Sequence, residues 1–145
     1  MKVLHAIACA AVALSSCAAA PTQPTALVSV DALVRSFEQE GATVIRSGSL
    51  PPSSHPYFSV AGEGLKVNGA DVTVFAYSSD DRAAADAAKV SPTGSPIGQT
   101  QISWMDTPHF YKRERLILLY VGHSADLLKV LEAVLGPPFA AGRGA

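Results

Sequence analysis

The sequence predicts an α+β fold, with an antiparallel sheet of about five strands and two to three helices packed on one face of it. Three observations predict this class. Segments with helical spacing of apolar residues alternate with segments rich in β-forming residues. Asn68 and Gly69 give a strong hairpin signal, because both residues tolerate positive φ. Residues 116–121 are apolar throughout, which is typical of a buried strand. A ferredoxin-like arrangement is one variant of this class.

Three segments carry helix signals. Residues 28–41 have Ser29 or Asp31 as an N-cap, apolar side chains on one face and a glycine at the end. Residues 78–90 begin with serine and aspartate, and their alanine-rich face would let the helix lie close against a sheet. Residues 125–135 bring apolar side chains to one face and are followed by a glycine.

The segments between these helices predict the strands. Strands are predicted at residues 43–46, 57–60, 65–67, 71–77, 99–105, 110–113 and 116–121. The strand at 116–121 should be the most buried of them. Gly62 and Gly64 are interpreted as a turn, and residues 47–56 and 91–98 as loops rich in proline, glycine and serine.

The N-terminal residues have the layout of a secretory signal. Lys2 is followed by an apolar stretch ending at Leu14, then by small residues and a cysteine. The apolar stretch is too short for a membrane span, which needs about 20 apolar residues. We therefore expect residues 1–16 to be a signal peptide that is removed on export.

Residues 14–17, with the sequence Leu-Ser-Ser-Cys, resemble the lipobox of bacterial lipoproteins. The resemblance implies that Cys17 carries a diacylglyceryl group and further acylation such as palmitate, and becomes the new N-terminus. Each buried CH₂ contributes about 0.8 kcal/mol, so several chains hold a protein stably at a membrane. Cys9 fits poorly, because too little apolar chain precedes it. The alternative is an ordinary cleaved signal, cut after Ala18 or Ala19.

The expected organisation after the signal is simple. Residues 17–26 form a lipidated tether, residues 27–139 a single α+β domain and residues 140–145 a flexible tail. The chain has two cysteines, so once Cys17 is acylated and the signal removed no disulfide can form. The domain must then be held together by packing. The expected location is the bacterial cell envelope, with the domain facing the periplasm or the exterior.

Charge excludes one class of partner. The formal net charge is −1, and the basic residues at 112, 113 and 115 are interrupted by Glu114. Nucleic-acid binding needs a clustered positive surface, so none is expected. The expected partners are the membrane, through the lipid anchor, and an envelope protein or a small ligand. No cofactor is expected.

The densest group of unusual side chains lies between residues 104 and 111. In a ligand groove, Trp104 and Tyr111 could stack on the ligand, and His109 and Asp106 could supply polar contacts. The predicted contact residues are Trp104, His109 and Tyr111. A second interpretation is a copper or zinc site formed by Met105, His109 and His123. A third is purely structural: a hairpin in which Trp104 packs inward and His109 lies at the surface beside the turn.

No catalytic set is expected. His123, Ser124 and Asp126 are the residue types of a hydrolase triad, but neighbours in sequence lack the required geometry, and no G-x-S-x-G elbow is present. Ser124 is predicted to cap the last helix. The paired aspartates at residues 80 and 81 are likewise interpreted as a helix start, not as a cation site.

Residues 27–139 also resemble the small lipoproteins of unknown function that are found widely in bacteria. The shared features are the Val-Phe-Ala-Tyr strand before an alanine-rich helix, the Trp and Pro-His-Phe-Tyr elements, and an apolar strand followed by an amphipathic helix. The resemblance implies the class and no mechanism. The predicted function is a non-enzymatic, membrane-anchored envelope lipoprotein that binds a partner protein or a small ligand. The alternative is an exported metal-binding protein.

Overall fold

The computed structural model describes residues 26–142. The helices are α1 (Val30–Gln39), α2 (Asp80–Ala87) and α3 (Ala125–Leu135). The strands are β1 (Val44–Ser49), β2 (Gly62–Val67), β3 (Ala70–Ala76), β4 (Pro108–Arg113), β5 (Leu116–Val121) and β6 (Ala140–Ala141). They form one sheet in the order β1-β2-β3-β5-β4-β6, and every neighbouring pair is antiparallel.

The α+β class is confirmed, with six strands in place of about five. The topology differs from the ferredoxin-like variant, which has the order βαββαβ. Here the first three strands follow one another as a meander, and β5 and β4 form a hairpin added beside β3. The turn between β2 and β3 is the predicted one, with φ of 50° at Asn68 and 83° at Gly69.

Each helix begins at a serine whose hydroxyl accepts a hydrogen bond from the helix backbone. Ser29, rather than Asp31, accepts from Ala32 at the start of α1, and Ser79 accepts from Arg82 at the start of α2. Such caps satisfy N–H groups that have no partner within the helix. The bounds of α3 are those that the sequence predicts.

Helices cover both faces of the sheet, so the prediction of helices on one face is wrong. Leu116, Leu118 and Tyr120 of β5 pack in the core with α1 and α3, whereas Ile117 and Leu119 pack in a second core with α2. Side chains alternate between the two faces of a strand, so an apolar run is buried only if both faces are covered. Because both of its faces are covered, β5 is buried as predicted.

Two of the predicted strands are absent from the sheet. Residues 57–60 belong to the connection between β1 and β2, which also holds a short 3₁₀ turn at Pro52–Ser54. Residues 99–105 run outside the sheet ladders. Their polar groups bond to the preceding loop instead: the Ile102 amide donates to the Ser95 hydroxyl and the Trp104 indole donates to the Gly94 carbonyl. Because these hydrogen bonds supply partners for its polar groups, the segment does not have to pair with a strand of the sheet.

The predicted turn at Gly62 and Gly64 is part of β2. Gly62 lies opposite Phe75, and a Cβ at position 62 would come within 2.7 Å of the Thr73 methyl carbon. Glycine is therefore required there by close packing, which the sequence alone does not show.

The predicted tail is partly structured. Ala140 and Ala141 pair with β4 as β6, and the amide of Gly142 donates to the Pro108 carbonyl. Residues 1–25 and 143–145, which include the predicted signal, Cys17 and most of the tether, lie outside the described residues. Within residues 26–142, no helix is long and apolar enough to cross a membrane.

Candidate functional site

The three predicted contact residues do not share one surface. Trp104 is half-buried and packs edge-on against Phe110 of the core beside α2, with 5.8 Å between ring centroids. Tyr111 is 0% exposed and lies in the other core, beneath α1 and α3. His109 is half-buried on β4. Because Trp104 and Tyr111 lie on opposite sides of the sheet, they cannot form the stacking groove that the sequence suggested.

The structure instead brings polar side chains together where β4 begins and β5 ends. The Nδ1 atom of His123 lies 2.8 Å from Oδ2 of Asp106. The Nε2 atom of His109 lies 3.0 Å from the carbonyl oxygen of Gly122. We refer to Asp106, His109 and His123 as the His–Asp cluster.

The hydrogen-bond partners determine which nitrogen of each imidazole carries a proton. A carboxylate only accepts, so the Nδ1–H of His123 donates to Asp106, and its Nε2 holds the lone pair of the neutral ring. The His123 side chain is 85% exposed. A carbonyl also only accepts, so the Nε2–H of His109 donates to Gly122. The cluster therefore presents an oriented basic nitrogen of His123 on an exposed side chain.

Neighbouring groups hold the cluster in place. The His109 ring stacks on Tyr120 with 5.9 Å between centroids, and the Tyr120 hydroxyl oxygen accepts a hydrogen bond from the Ser124 amide. Gly122 has φ of 157°, and a Cβ there would lie 2.3 Å from the Tyr120 oxygen. Hydrogen bonds from the Thr107 amide and from His123 lower the pKa of Asp106, so that carboxylate is ionised at neutral pH.

The predicted metal ligands lie around this cluster, but they do not form a complete site. Met105 is 97% exposed and adjoins Asp106 in the chain. Across residues 26–142, however, no group of three or more His, Cys, Asp or Glu side chains is arranged to hold a metal ion. Two imidazoles and one thioether are fewer ligands than a closed structural site uses.

Ser124 and Asp80 have structural partners. The Ser124 hydroxyl accepts from the Leu127 amide at 3.4 Å, so it serves as the N-cap of α3 as predicted. Asp80 accepts from the Lys112 ammonium group at 2.6 Å.

A buried carboxylate that the sequence did not single out lies on α2. Asp86 is 3% exposed, and its Oδ2 accepts from the Ser59 amide and hydroxyl, both at 2.7 Å, and from the Tyr77 hydroxyl at 2.9 Å. Its Oδ1 accepts from Lys89 at 2.5 Å. Burial alone would raise the pKa of Asp86, but the hydrogen bonds from Lys89, Ser59 and Tyr77 outweigh it and lower that pKa.

The first described residues, 26–28, lie beside the turn of the β4–β5 hairpin. This turn is at the opposite end of the hairpin from the His–Asp cluster. Arg115, in the turn that joins the two strands, donates from Nη2 to the Val28 carbonyl at 2.7 Å. Leu27 is buried and lines a cavity of about 150 Å³ together with Arg113 of β4. Strands rise roughly 3.4 Å per residue, so His109 lies about 17 Å along β4 from the turn.

Comparison of the chain with protein-family models, curated proteins and solved structures finds no match. What the protein does must therefore follow from its own residues. The two features that bear on function are the His–Asp cluster at one end of the hairpin and the attachment of the N-terminal segment at the other.

Proposed function

We propose that the protein is a lipoprotein of the bacterial cell envelope, anchored by lipids on Cys17, whose domain binds a partner protein or a small ligand without catalysing a reaction. The anchor is supported by the signal layout and by the resemblance of residues 14–17 to a lipobox. Several acyl chains on one cysteine would hold it stably at the membrane. The domain then faces the periplasm or the exterior.

The observation that carries the binding proposal is the separation of the two ends of the hairpin. Arg115 holds the N-terminal segment at Val28 beside the hairpin turn. Nine residues lie between Cys17 and Leu27, so ten Cα–Cα steps limit the reach of the tether to about 35 Å. Since the N-terminal segment meets the domain at the turn end, the His–Asp cluster lies about 17 Å along β4 from that attachment, and its exposed His123 side chain is open to an envelope partner. Exposed Met105 extends the same surface.

The proposed contact surface therefore keeps His109 from the predicted set and replaces Trp104 and Tyr111 with Asp106 and His123. Tyr111 is buried in one core, and half-buried Trp104 packs against the other core on the opposite side of the sheet. The non-enzymatic assignment is supported by Ser124, the nearest hydroxyl in sequence to His123, because that hydroxyl accepts from Leu127 as a helix cap.

The anchor is tested by intact-mass spectrometry of the full-length protein extracted from membranes of its native host. The expected mass is that of a chain beginning at Cys17 plus acyl groups. A Cys17→Ser variant should lose the added mass and leave the membrane fraction. An unmodified chain cut near Ala19 would overturn the anchor, and the domain would then be a diffusing secreted one.

The contact surface is tested by photo-crosslinking in cells, with the crosslinking residue placed at Met105 or, as a control, at exposed Ile45 of β1. A discrete adduct is expected from position 105 only. It should disappear in an Asp106→Ala, His123→Ala double variant that remains folded. The same adducts from both positions, or an adduct that survives the double substitution, would contradict the proposal.

The second candidate, an exported copper or zinc protein, is favoured by one observation. Asp106 orients His123 through Nδ1, as carboxylates commonly orient metal-binding histidines. Calorimetric titration of the purified full-length protein with Cu(I) or Zn²⁺ separates the two proposals. Heat of binding that is lost in His123→Ala supports the metal protein, and absence of binding removes it.

A further inference from the structure

Residues 50–61, between β1 and β2, form a loop whose ends lie close together. The Leu50 amide donates to the Gly62 carbonyl at 2.8 Å and closes the base of the loop. Compact loops of this kind pack through their own side chains and are frequently functional. We call residues 50–61 the strap.

The strap covers aromatic side chains on the α2 side of the sheet. Phe58 of the strap packs edge-on against Phe75, with 4.6 Å between centroids, and lies 6.4 Å from Phe110. Phe75 and Phe110 are fully buried. The next strap residue, Ser59, donates from its amide and its hydroxyl to Asp86. Lifting the strap would break these two hydrogen bonds and uncover the ring of Phe75, on which Phe58 packs.

The His55 ring lies on the inner side of the strap, where it contacts two aromatic rings. It meets Phe75 at 5.2 Å and Tyr57 at 5.8 Å, both edge-on. Its Nδ1 is buried and has no hydrogen-bond partner among the described residues. A neutral imidazole can leave a lone pair at that atom, but an imidazolium carries N–H on both nitrogens. Protonation therefore places a donor where nothing accepts it, which disfavours the closed strap.

We propose that the strap is an acid-sensitive cover: protonation of His55 releases it and uncovers the aromatic ring of Phe75. The sign follows from linkage. Burial lowers the pKa of His55 below its ordinary 6.5 while the strap is closed. Opening restores the ordinary value, so the open form takes up a proton. Opening is therefore favoured as the pH falls below about 6.5.

The other titratable groups facing the strap keep their charge in this range. Tyr57, on the strap itself, has its pKa raised to about 12 by burial and stays neutral. Burial and contact with Asp86 also raise the pKa of Tyr77 on β3. Asp86 on α2 has a lowered pKa and remains ionised, paired with the ammonium group of Lys89. Among the groups that face the strap, mild acid therefore acts on His55.

Hydrogen exchange of the whole domain, followed by mass spectrometry at pH 7.5 and pH 5.5 and corrected for intrinsic rates, tests the proposal. Protection of strap amides should fall at the lower pH, by up to about tenfold, because pH 5.5 lies one unit below the ordinary pKa of 6.5 that His55 regains in the open form. His55→Phe keeps an aromatic ring without a titrating nitrogen and should abolish the fall. His123→Gln, which removes an exposed histidine elsewhere, should leave the fall unchanged.

Three results would overturn the proposal. Strap protection in the wild type could be independent of pH, the fall could persist in His55→Phe, or the amides of β3 and β5 could lose protection equally, which indicates global unfolding. If His55→Phe does not fold, His55→Gln serves as the non-titrating variant. Binding of anilinonaphthalene sulfonate gives a second readout: its fluorescence should rise at pH 5.5 in the wild type and not in the non-titrating variant.

Discussion

Replacing Asp86 with alanine is expected to lower the free energy of unfolding by about 1.5–3 kcal/mol, the contribution of hydrogen bonds to a charged group, because it removes a buried carboxylate. The carboxylate accepts hydrogen bonds from Ser59, Tyr77 and Lys89. Without it, the Tyr77 hydroxyl loses its acceptor in the domain interior, where an unpaired donor is costly. The loss should appear as a lower midpoint in urea unfolding at pH 7.

A matched control separates this effect from the removal of any aspartate in α2. Asp81 lies in the exposed first turn of the same helix. Asp81→Ala should cost no more than about 1 kcal/mol, the contribution of a charge near a helix N-terminus. If the two variants proved equally stable, the hydrogen bonds that Asp86 accepts would contribute nothing beyond its charge, and this prediction would be wrong.

The stabilising effect of Asp86 should also depend on pH in a defined direction. Its pKa is lowered in the folded protein relative to the ordinary value of 3.8. The unfolded chain therefore binds a proton first as the pH falls, and stability is lost. The contribution is fully present well above pH 3.8 and disappears as the pH falls through the lower folded value. The difference between wild type and Asp86→Ala should shrink over that acidic interval.

The elements that the sequence predicted well are those with local signals. Ser29, Ser124 and the pair Asn68–Gly69 act within three or four residues of themselves, through caps or turn dihedrals. The apolar run of β5 is likewise a property of one continuous segment. Such signals do not depend on the rest of the fold, so they can be recognised in one sequence.

The features that sequence reasoning missed depend on distant contacts. Asp106 and His123 are 17 residues apart and meet only because β4 and β5 pair in a particular register. In the sequence Asp86 looks like an ordinary polar residue of a helix, and its hydrogen-bond partner Ser59 lies 27 residues away. Residues 99–105 alternate like a strand, yet the loop before them satisfies their polar groups. No periodicity within one segment reveals such pairings.

Replacing Tyr111 with alanine and replacing it with phenylalanine should affect the free energy of unfolding differently, although both substitutions remove the hydroxyl. Tyr111→Ala should lower the free energy of unfolding by about 3–5 kcal/mol, because it leaves a cavity in the core beneath α1 and α3. Tyr111→Phe should leave stability unchanged or raise it by up to about 1 kcal/mol. The hydroxyl is buried without a hydrogen-bond partner among the described residues, so its removal ends a desolvation cost.

The pH dependence of stability provides an independent check on Tyr111. Burial, with smaller effects of Glu132 and Tyr120, raises its pKa from 10.0 to about 12. The unfolded chain therefore releases the phenolic proton first, and the contribution of Tyr111 to stability falls as the pH rises from 10 to about 12. Urea unfolding at pH 9 and pH 11 should show a smaller loss in Tyr111→Phe than in the wild type.

These two variants also decide how Tyr111 relates to function. An alanine at position 111 would weaken binding simply by unfolding the domain, so a combined alanine substitution of Trp104, His109 and Tyr111 cannot identify a contact surface. Tyr111→Phe keeps the core intact and removes the polar atom that a ligand would contact. If that variant lost a partner that the wild type binds, Tyr111 would have a functional role that its burial does not predict. If it bound normally while His123→Ala did not, recognition would lie in the His–Asp cluster.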